Sequence, residues 1–360
     1  MTEAVFYNAL NILTESDYRK LEQLKNQFGG WEKSWENFPP AEKRRIDPEN
    51  EWQKLAGTGV RLILRNEDGY PPLLEEIPQP PFGIYVLGNL PASPDSRSDS
   101  NRTAAGCEKF TLAIVGTRKA TNEGKELARK FAAELAGRGF AIISGLALGI
   151  DAAAHEGCLG VNGKTIAVLG NGLDSFYPRT NERLAKKILE SGGAIISEYP
   201  PGAPPFPSHF LERNRIVSGL SRGALIIEAP RESGALVTAR FATDQNRDVF
   251  VIPGPISHPN YVGSNWLIRR GAELVTKPEE ILEAFGIETA DEKMAAPHLE
   301  TREEKLIFET LAKFSSPATV DKIIEMTKLN AIAVNQALTT LTIKNVVKET
   351  DGGYISNYLS

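Results

Sequence analysis

A doubly wound, mainly parallel α/β sheet is predicted for the middle of this chain, flanked by a small helical domain and a C-terminal winged-helix domain. Three observations carry this. Short apolar runs alternate with helix-length segments from residue 112 to residue 254, the pattern of repeated βα units. The runs are apolar throughout rather than at every second residue, so both sheet faces are covered. Most of these runs end in small residues or glycine, where a parallel sheet turns into its next helix at the edge that binds ligands.

Residues 1–69 are expected to form the helical domain. Ala9, Leu10, Ile12 and Leu13, then Leu21, Leu24 and Phe28, recur at helical spacing, and Gly29-Gly30 stops the run. Trp31, Trp35 and Trp52 add bulk suited to packing in a small core. From Tyr70 the chain is punctuated by proline, with one strand-like run, Gly83 to Leu87, read as a connector into the main sheet. The Ser-, Asp- and Pro-rich stretch at about 91–108 cannot bury enough apolar surface to offset its ordering entropy, and a flexible insert is expected there.

The sheet domain, 70–286, is then built from LAIV (112–115), AIIS (141–144), TIAVLG (165–170), AIIS (194–197), ALIIEA (224–229) and DVFVIPG (248–254). Helices are expected over 123–138, near 150–159, over 181–189 and near 235–246, and a shorter one within HFLERNRIVSGLS, 209–221. An acidic linker, about 287–300, leads to the last module, 301–360. Helices over 303–314, 319–326 and 331–341 and a hairpin turning at Asp351-Gly352 or Gly352-Gly353 give the winged-helix order of elements. The third of those helices carries only Lys344 at its end, which favours a protein contact over duplex readout.

Composition narrows the function. At 360 residues with a net charge of −5, the chain is not a uniformly basic nucleic-acid binder, although a local basic groove on an acidic body remains open. Two cysteines, Cys107 and Cys158, make neither a disulfide framework nor a metal knuckle. No secretory signal and no stretch of roughly 20 apolar residues is visible, so a soluble cytoplasmic protein without a membrane partner is expected.

The chemistry candidates sit where the runs end. In GTRKATNEG, Gly116 permits a tight turn, and Thr117, Arg118 and Thr121 present donors just before a helix N-terminus, a setting that favours phosphate. The glycine spacing is not that of a dinucleotide fingerprint, and Gly163-Lys164-Thr165 precedes a strand rather than a helix, so neither a dinucleotide nor ATP is expected as cofactor. Asp151 and His155, four apart on one helix face, suit an acid–base pair, half a metal site or a structural pair; with no further His or Cys nearby, the structural role is favoured and no metal is expected. Ser233 and Gly234 open another helix at the same edge. Glu228, at the end of its strand, suits a catalytic carboxylate or one that orients arginines; with no second carboxylate at a readable spacing, the orienting role is favoured.

Arg213, Asn214 and Arg215 form the densest cluster, which suits an anion site or a structural ion-pair network. At about 100° per residue the two arginines project roughly 200° apart, so a full helix cannot aim both into one groove. One is expected to meet the ligand and the other a carboxylate or a second subunit. Phe210, beside them, suits base stacking as well as it suits the core.

Taken together, IVGTR, SGLALGIDAAAH, AVLGNGLDSFYP, ISEYPPG, HFLERNRIVSGLS, the Glu228–Ala239 segment and VFVIPG with GSNWLI resemble the DNA-processing protein A (Smf) family of bacterial natural transformation. The match runs over about 70–285. It implies an extended Rossmann-like fold, a homodimer, and a non-enzymatic role in which single-stranded DNA is bound and protected and RecA recombinase is loaded. It places Gly116, Thr117, Arg118, Phe210, Arg213, Asn214 and Arg215 in the DNA pocket, beside the phosphate-ready Thr121, Ser233 and Gly234. Thr117 stands where Ser is common, Leu211 where Pro is common, Ala235 where Ser is common, and Pro207-Ser208 supply no cation where members often carry Lys. The alternative is a nucleotide-cleaving phosphoribohydrolase-like enzyme on the same fold, but PRESGALVTA lacks the paired glycines and following acid of that loop.

Overall fold

A computed structural model describes residues 2–90, 110–287, 299–314, 317–344, 346–350 and 352–356. The insert expected at about 91–108, Cys107, most of the linker and Asp351 lie outside these residues. The chain divides into two compact units, Met1–Ile281 and Leu282–Ser360.

The first unit is built on one nine-stranded sheet. Five helices come first, α1 (Glu3–Leu13), α2 (Tyr18–Phe28), α3 (Trp31–Asn37), α4 (Pro40–Lys43) and α5 (Pro48–Ala56), followed by β1 (Arg61–Leu64), α6 (Pro72–Glu75) and β2 (Gly83–Gly88). The alternating part then runs β3 (Phe110–Gly116), α7 (Asn122–Gly137), β4 (Phe140–Ser144), α8 (Ile150–Gly160), β5 (Thr165–Leu169), α9 (Glu182–Glu190), β6 (Ala194–Ser197), α10 (Pro207–Gly219), β7 (Gly223–Ile227), α11 (Gly234–Asp244), β8 (Asp248–Val251), α12 (Val262–Arg269) and β9 (Glu273–Leu274).

Strand order is β1-β2-β6-β5-β4-β3-β7-β8-β9. From β6 to β9 every neighbouring pair is parallel, whereas β2 runs antiparallel to both β1 and β6. The chain winds outward from β3 to β6, returns through α10, and restarts at β7 on the other side of β3. The switch point therefore lies between β3 and β7, where open α/β sheets hold their ligands outside the strand carboxyl ends.

The apolar runs do what their continuity predicted. Ile166 and Val168 of β5 pack into the core that holds Ile216 and Val217 of α10, while Ala167 and Leu169 face the opposite core with Leu184 and Ile188 of α9.

Two expectations shift. The strand-like run Gly83 to Leu87 is indeed a strand, but it pairs within the sheet instead of belonging to a connector that leads into it. The sheet also begins before Tyr70, because β1 (RLIL) pairs along β2 from Arg61↔Val86 to Leu64↔Gly83. The N-terminal helices pack directly on this edge. Trp31, Tyr7 and Leu10 share a core with Leu64 and Phe82, and buried Asn11 donates to the Glu198 carbonyl at 3.1 Å. Residues 1–69 are thus folded into the same unit as the sheet.

In the second unit, helices Arg302–Leu311, Val320–Thr327 and Ala331–Ile343 precede an antiparallel pair, β10 (Val347–Thr350) and β11 (Gly353–Ser356). Ile307, Ile323, Leu338 and Val347 meet in its core. Asn330 caps the third helix by accepting from the Ala333 amide at 2.8 Å. Lys344 at that helix's end is paired with Glu300 at 3.1 Å and Glu304 at 3.2 Å.

Candidate nucleic-acid interface

At the β3–β7 switch point the strand ends enclose a cleft of about 580 Å³. Its floor is Val115, Gly116 and Thr117; one wall is the start of α10 with Phe210, Arg213 and Asn214; the other is Ser233 and Gly234 at the start of α11. Each of these helices follows a parallel strand, so its N-terminal end, with unpaired amides and positive dipole, lies at this edge.

Gly116 is required by close approach. A Cβ there would run into the Ile227 carbonyl of β7 and the Ile150 side chain. With hydrogen alone at that position, β3 and β7 pair up to Gly116↔Ile227. Thr117 then donates its amide to the Glu228 carbonyl at 2.8 Å, while the side chains of Arg118 and Lys119 are exposed at the mouth.

Glu228 is the anchor behind this loop. It is fully buried and held at φ +51°, a left-handed conformation that costs an ordinary residue about 1–2 kcal/mol. Its carboxylate accepts from the Thr121 amide at 2.9 Å and from the Thr121 hydroxyl. Asn260 Nδ2 donates to it at 3.0 Å and the Tyr261 hydroxyl at 3.4 Å. Thr121 in turn caps α7, accepting from the Gly124 amide at 2.9 Å. The expectation that Glu228 orients arginines is therefore corrected: its partners are Thr121, Asn260 and Tyr261, which sequence spacing gave no means of finding.

The two arginines diverge as helical phase requires. Arg213 lines the cleft but is only 4% exposed. Its guanidinium donates to the Gly145 carbonyl at 2.8 Å and to the Val168 carbonyl, and Nε donates to Asn214 Oδ1 at 3.3 Å. Burial pulls its pKa down to about 10, opposed by Asp151, so it stays charged at neutral pH. Gly145 is needed beneath it, because a Cβ there would meet the guanidinium. Asn214 Nδ2 donates to the Gly234 carbonyl at 3.2 Å, tying α10 to α11. Arg215 faces away from the cleft, and Nη2 donates to both Glu198 carboxylate oxygens at 2.6 Å.

Asp151 and His155 do not bond to each other. Asp151 accepts from the Gly145 amide at 3.1 Å, and burial, opposed by Arg213, raises its pKa. His155 Nδ1 lies 2.7 Å from Thr165 Oγ1, which gives its single hydroxyl proton to the Ile142 carbonyl; Nδ1 is therefore the donor. Burial and then Arg213 lower the His155 pKa to about 3, leaving it neutral.

Of the ten residues singled out from sequence, Gly116, Thr117, Arg118, Phe210, Arg213, Asn214, Ser233 and Gly234 line one cleft. Thr121 and Arg215 stand behind its walls. The cleft also includes Lys119, Tyr177 and Glu232, which sequence reasoning did not single out although each lies within a quoted segment, GTRKATNEG, AVLGNGLDSFYP and PRESGALVTA. The Tyr177 ring lies 5.3 Å from that of Phe210, and the Arg118 guanidinium lies 5.5 Å over the Phe210 ring.

Fold and cleft define a Rossmann-like protein whose switch-point cleft is furnished with cations, helix N-termini and aromatic rings. The model of the DNA recombination-mediator protein A family matches residues 61–286, and the chain belongs to that family. Protein Smf of Escherichia coli is 47% identical over 228 residues, 63% of this chain and 57% of that protein. The matched region thus spans just over half the length of that relative, as it does of a second Smf protein, at 54%. The X-ray structure of DNA processing protein A from Streptococcus pneumoniae superposes with a TM-score of 0.59 at 34% identity, covering 78% of this chain and 93% of that one. A Helicobacter pylori DNA processing protein A, solved for its single-stranded DNA binding mode, gives 0.53 at 28% identity, covering 63% and 95%.

Proposed function

We propose that this chain binds single-stranded DNA in the β3–β7 cleft and acts, without catalysis of its own, as a recombination mediator. It protects incoming strands in the cytoplasm during natural transformation and passes them to a RecA-type recombinase as a homodimer. The observation that carries this is the row Arg118–Phe210–Tyr177, a cation and two rings along a floor of strand-end amides. That is the pairing of charge and stacking surface that tracks a single strand without base readout. Gly116, Thr117, Arg118, Ser233 and Gly234 hold phosphate, Arg213 and Asn214 set the wall and its positive potential, and Thr121 and Arg215 keep loop and helix in place. Family membership and the DNA-processing names of the relatives support the same reading.

In the tail unit the third helix has its end lysine engaged by Glu300 and Glu304 and exposes Ile332 and Ile343. This favours contact with protein over duplex DNA.

The test is a titration with oligo-dT across a salt series. Wild type should bind in the micromolar range or tighter at low salt. Arg118→Ala should bind more weakly, with a log–log salt slope shallower by about 0.7 for one lost phosphate contact. Absence of binding at low salt, or an Arg118→Ala curve that overlays wild type, rejects the proposal.

A further inference from the structure

We propose that Tyr177, rather than Phe210, provides the main base-stacking face of the cleft; this rests on the single-stranded DNA reading above. The Phe210 ring is half-buried, with the Arg118 guanidinium over it and Tyr177 tilted 34° against it. Little of its face is left for a base. Tyr177 is 43% exposed, and its hydroxyl makes no hydrogen bond within the described residues. That open ring lies at the cleft, where a base can reach its face.

Tyr177 is also held in place. Its loop is pinned at one end by Asn171, whose Nδ2 donates to the Ser175 carbonyl at 2.8 Å and the Gly172 carbonyl at 2.9 Å. At the other end Asn181 Nδ2 donates to the Leu146 carbonyl at 2.8 Å. Both asparagines are buried. A ring fixed before binding loses little entropy when a base covers it. Arg118 can then take a phosphate while the base of the same or the next nucleotide lies on Tyr177, with Phe210 as backing between them. Stacking of this kind accepts any base, because every base has a π-face.

The experiment compares wild type, Tyr177→Ala, Tyr177→Leu and Tyr177→Phe on oligo-dT and on an abasic oligomer of equal length. Loss of the ring should weaken oligo-dT binding between about 5-fold and about 150-fold. Both Ala and Leu variants should show this, Phe should match wild type, and abasic binding should be the same for all four. Equal losses on both oligomers mean that Tyr177 only shapes the cleft and overturn the proposal, as does an unchanged oligo-dT affinity in Tyr177→Ala. Wild type that binds neither oligomer overturns the single-stranded DNA reading itself, and this inference falls with it. A variant set that fails only on oligo-dT separates the two.

Discussion

Arg215 Nη2 stands 2.6 Å from both carboxylate oxygens of Glu198, with the two side chains 7% and 9% exposed. Two residues earlier on the same helix, Arg213 faces the cleft. Burial disfavours the Arg215 charge, yet Glu198, helped by Tyr199 and Tyr70, outweighs it and holds its pKa above the ordinary value. One helix thus turns one arginine toward the cleft and uses the other to fasten α10 to the end of β6.

Removing one partner of this pair strands the other charge in a dry interior. Arg215→Ala is expected to destabilise the fold by about 3–5 kcal/mol, read as a lower urea midpoint with unchanged slope. The variant that stays folded should lose less oligo-dT affinity than Arg118→Ala, because Arg215 acts on the cleft only by holding α10. The double variant Arg215→Met/Glu198→Leu should recover much of the loss. A single variant as stable as wild type would show that the pair does not hold the helix.

Much of this was legible in sequence. The alternation of apolar runs and helices led directly to the order of elements, because strands covered on both faces need no periodic pattern to be recognised. The divergence of Arg213 and Arg215 followed from helical phase alone. β1 was not legible, since a four-residue edge strand, RLIL, is too short to show a period. The role of Glu228 was hidden for a different reason. Its partners Thr121 and Tyr261 are 107 and 33 residues away, and contacts across a switch point leave no mark in local spacing. Tyr177 lies inside the AVLGNGLDSFYP stretch but was not singled out, because what places its ring at the cleft is the fixing of the loop by Asn171 and Asn181, which spacing does not show.

The two sides of the switch point are held together at Gly116, where a methyl group would overlap the Ile227 carbonyl. A backbone oxygen in a parallel ladder cannot move aside without breaking the β3–β7 pairing. Gly116→Ala is expected to cost about 1–3 kcal/mol by overpacking and to lower oligo-dT affinity as the Thr117–Lys119 loop is displaced. Gly137→Ala, at the end of α7 with nothing within 4 Å of the new carbon, should instead stabilise by about 0.4–1 kcal/mol. Urea denaturation of both variants checks the opposite signs. A neutral Gly116→Ala would mean that β3 and β7 are not in close register at the cleft floor.

His155 gives the fold an acid-sensitive term. In the native protein it is neutral, with its pKa lowered from 6.5 to about 3 by burial and then by Arg213. The unfolded chain takes up a proton near pH 6.5, while the native state does not until about pH 3. Over that window the unfolded state binds more protons, so stability is complete above about 6.5 and falls as pH drops, by up to about 1.4 kcal/mol per unit. Asp151, whose pKa is raised by burial, acts with the opposite sign, so total stability alone cannot isolate the histidine. The difference between wild type and His155→Gln can, because glutamine keeps a donor for Thr165 but does not titrate. That difference should be constant above pH 7 and should shift steadily in favour of the variant from pH 6 to pH 5. A difference that stays flat across this range would mean that His155 is protonated in the native state and that Arg213 does not share its pocket with a neutral ring.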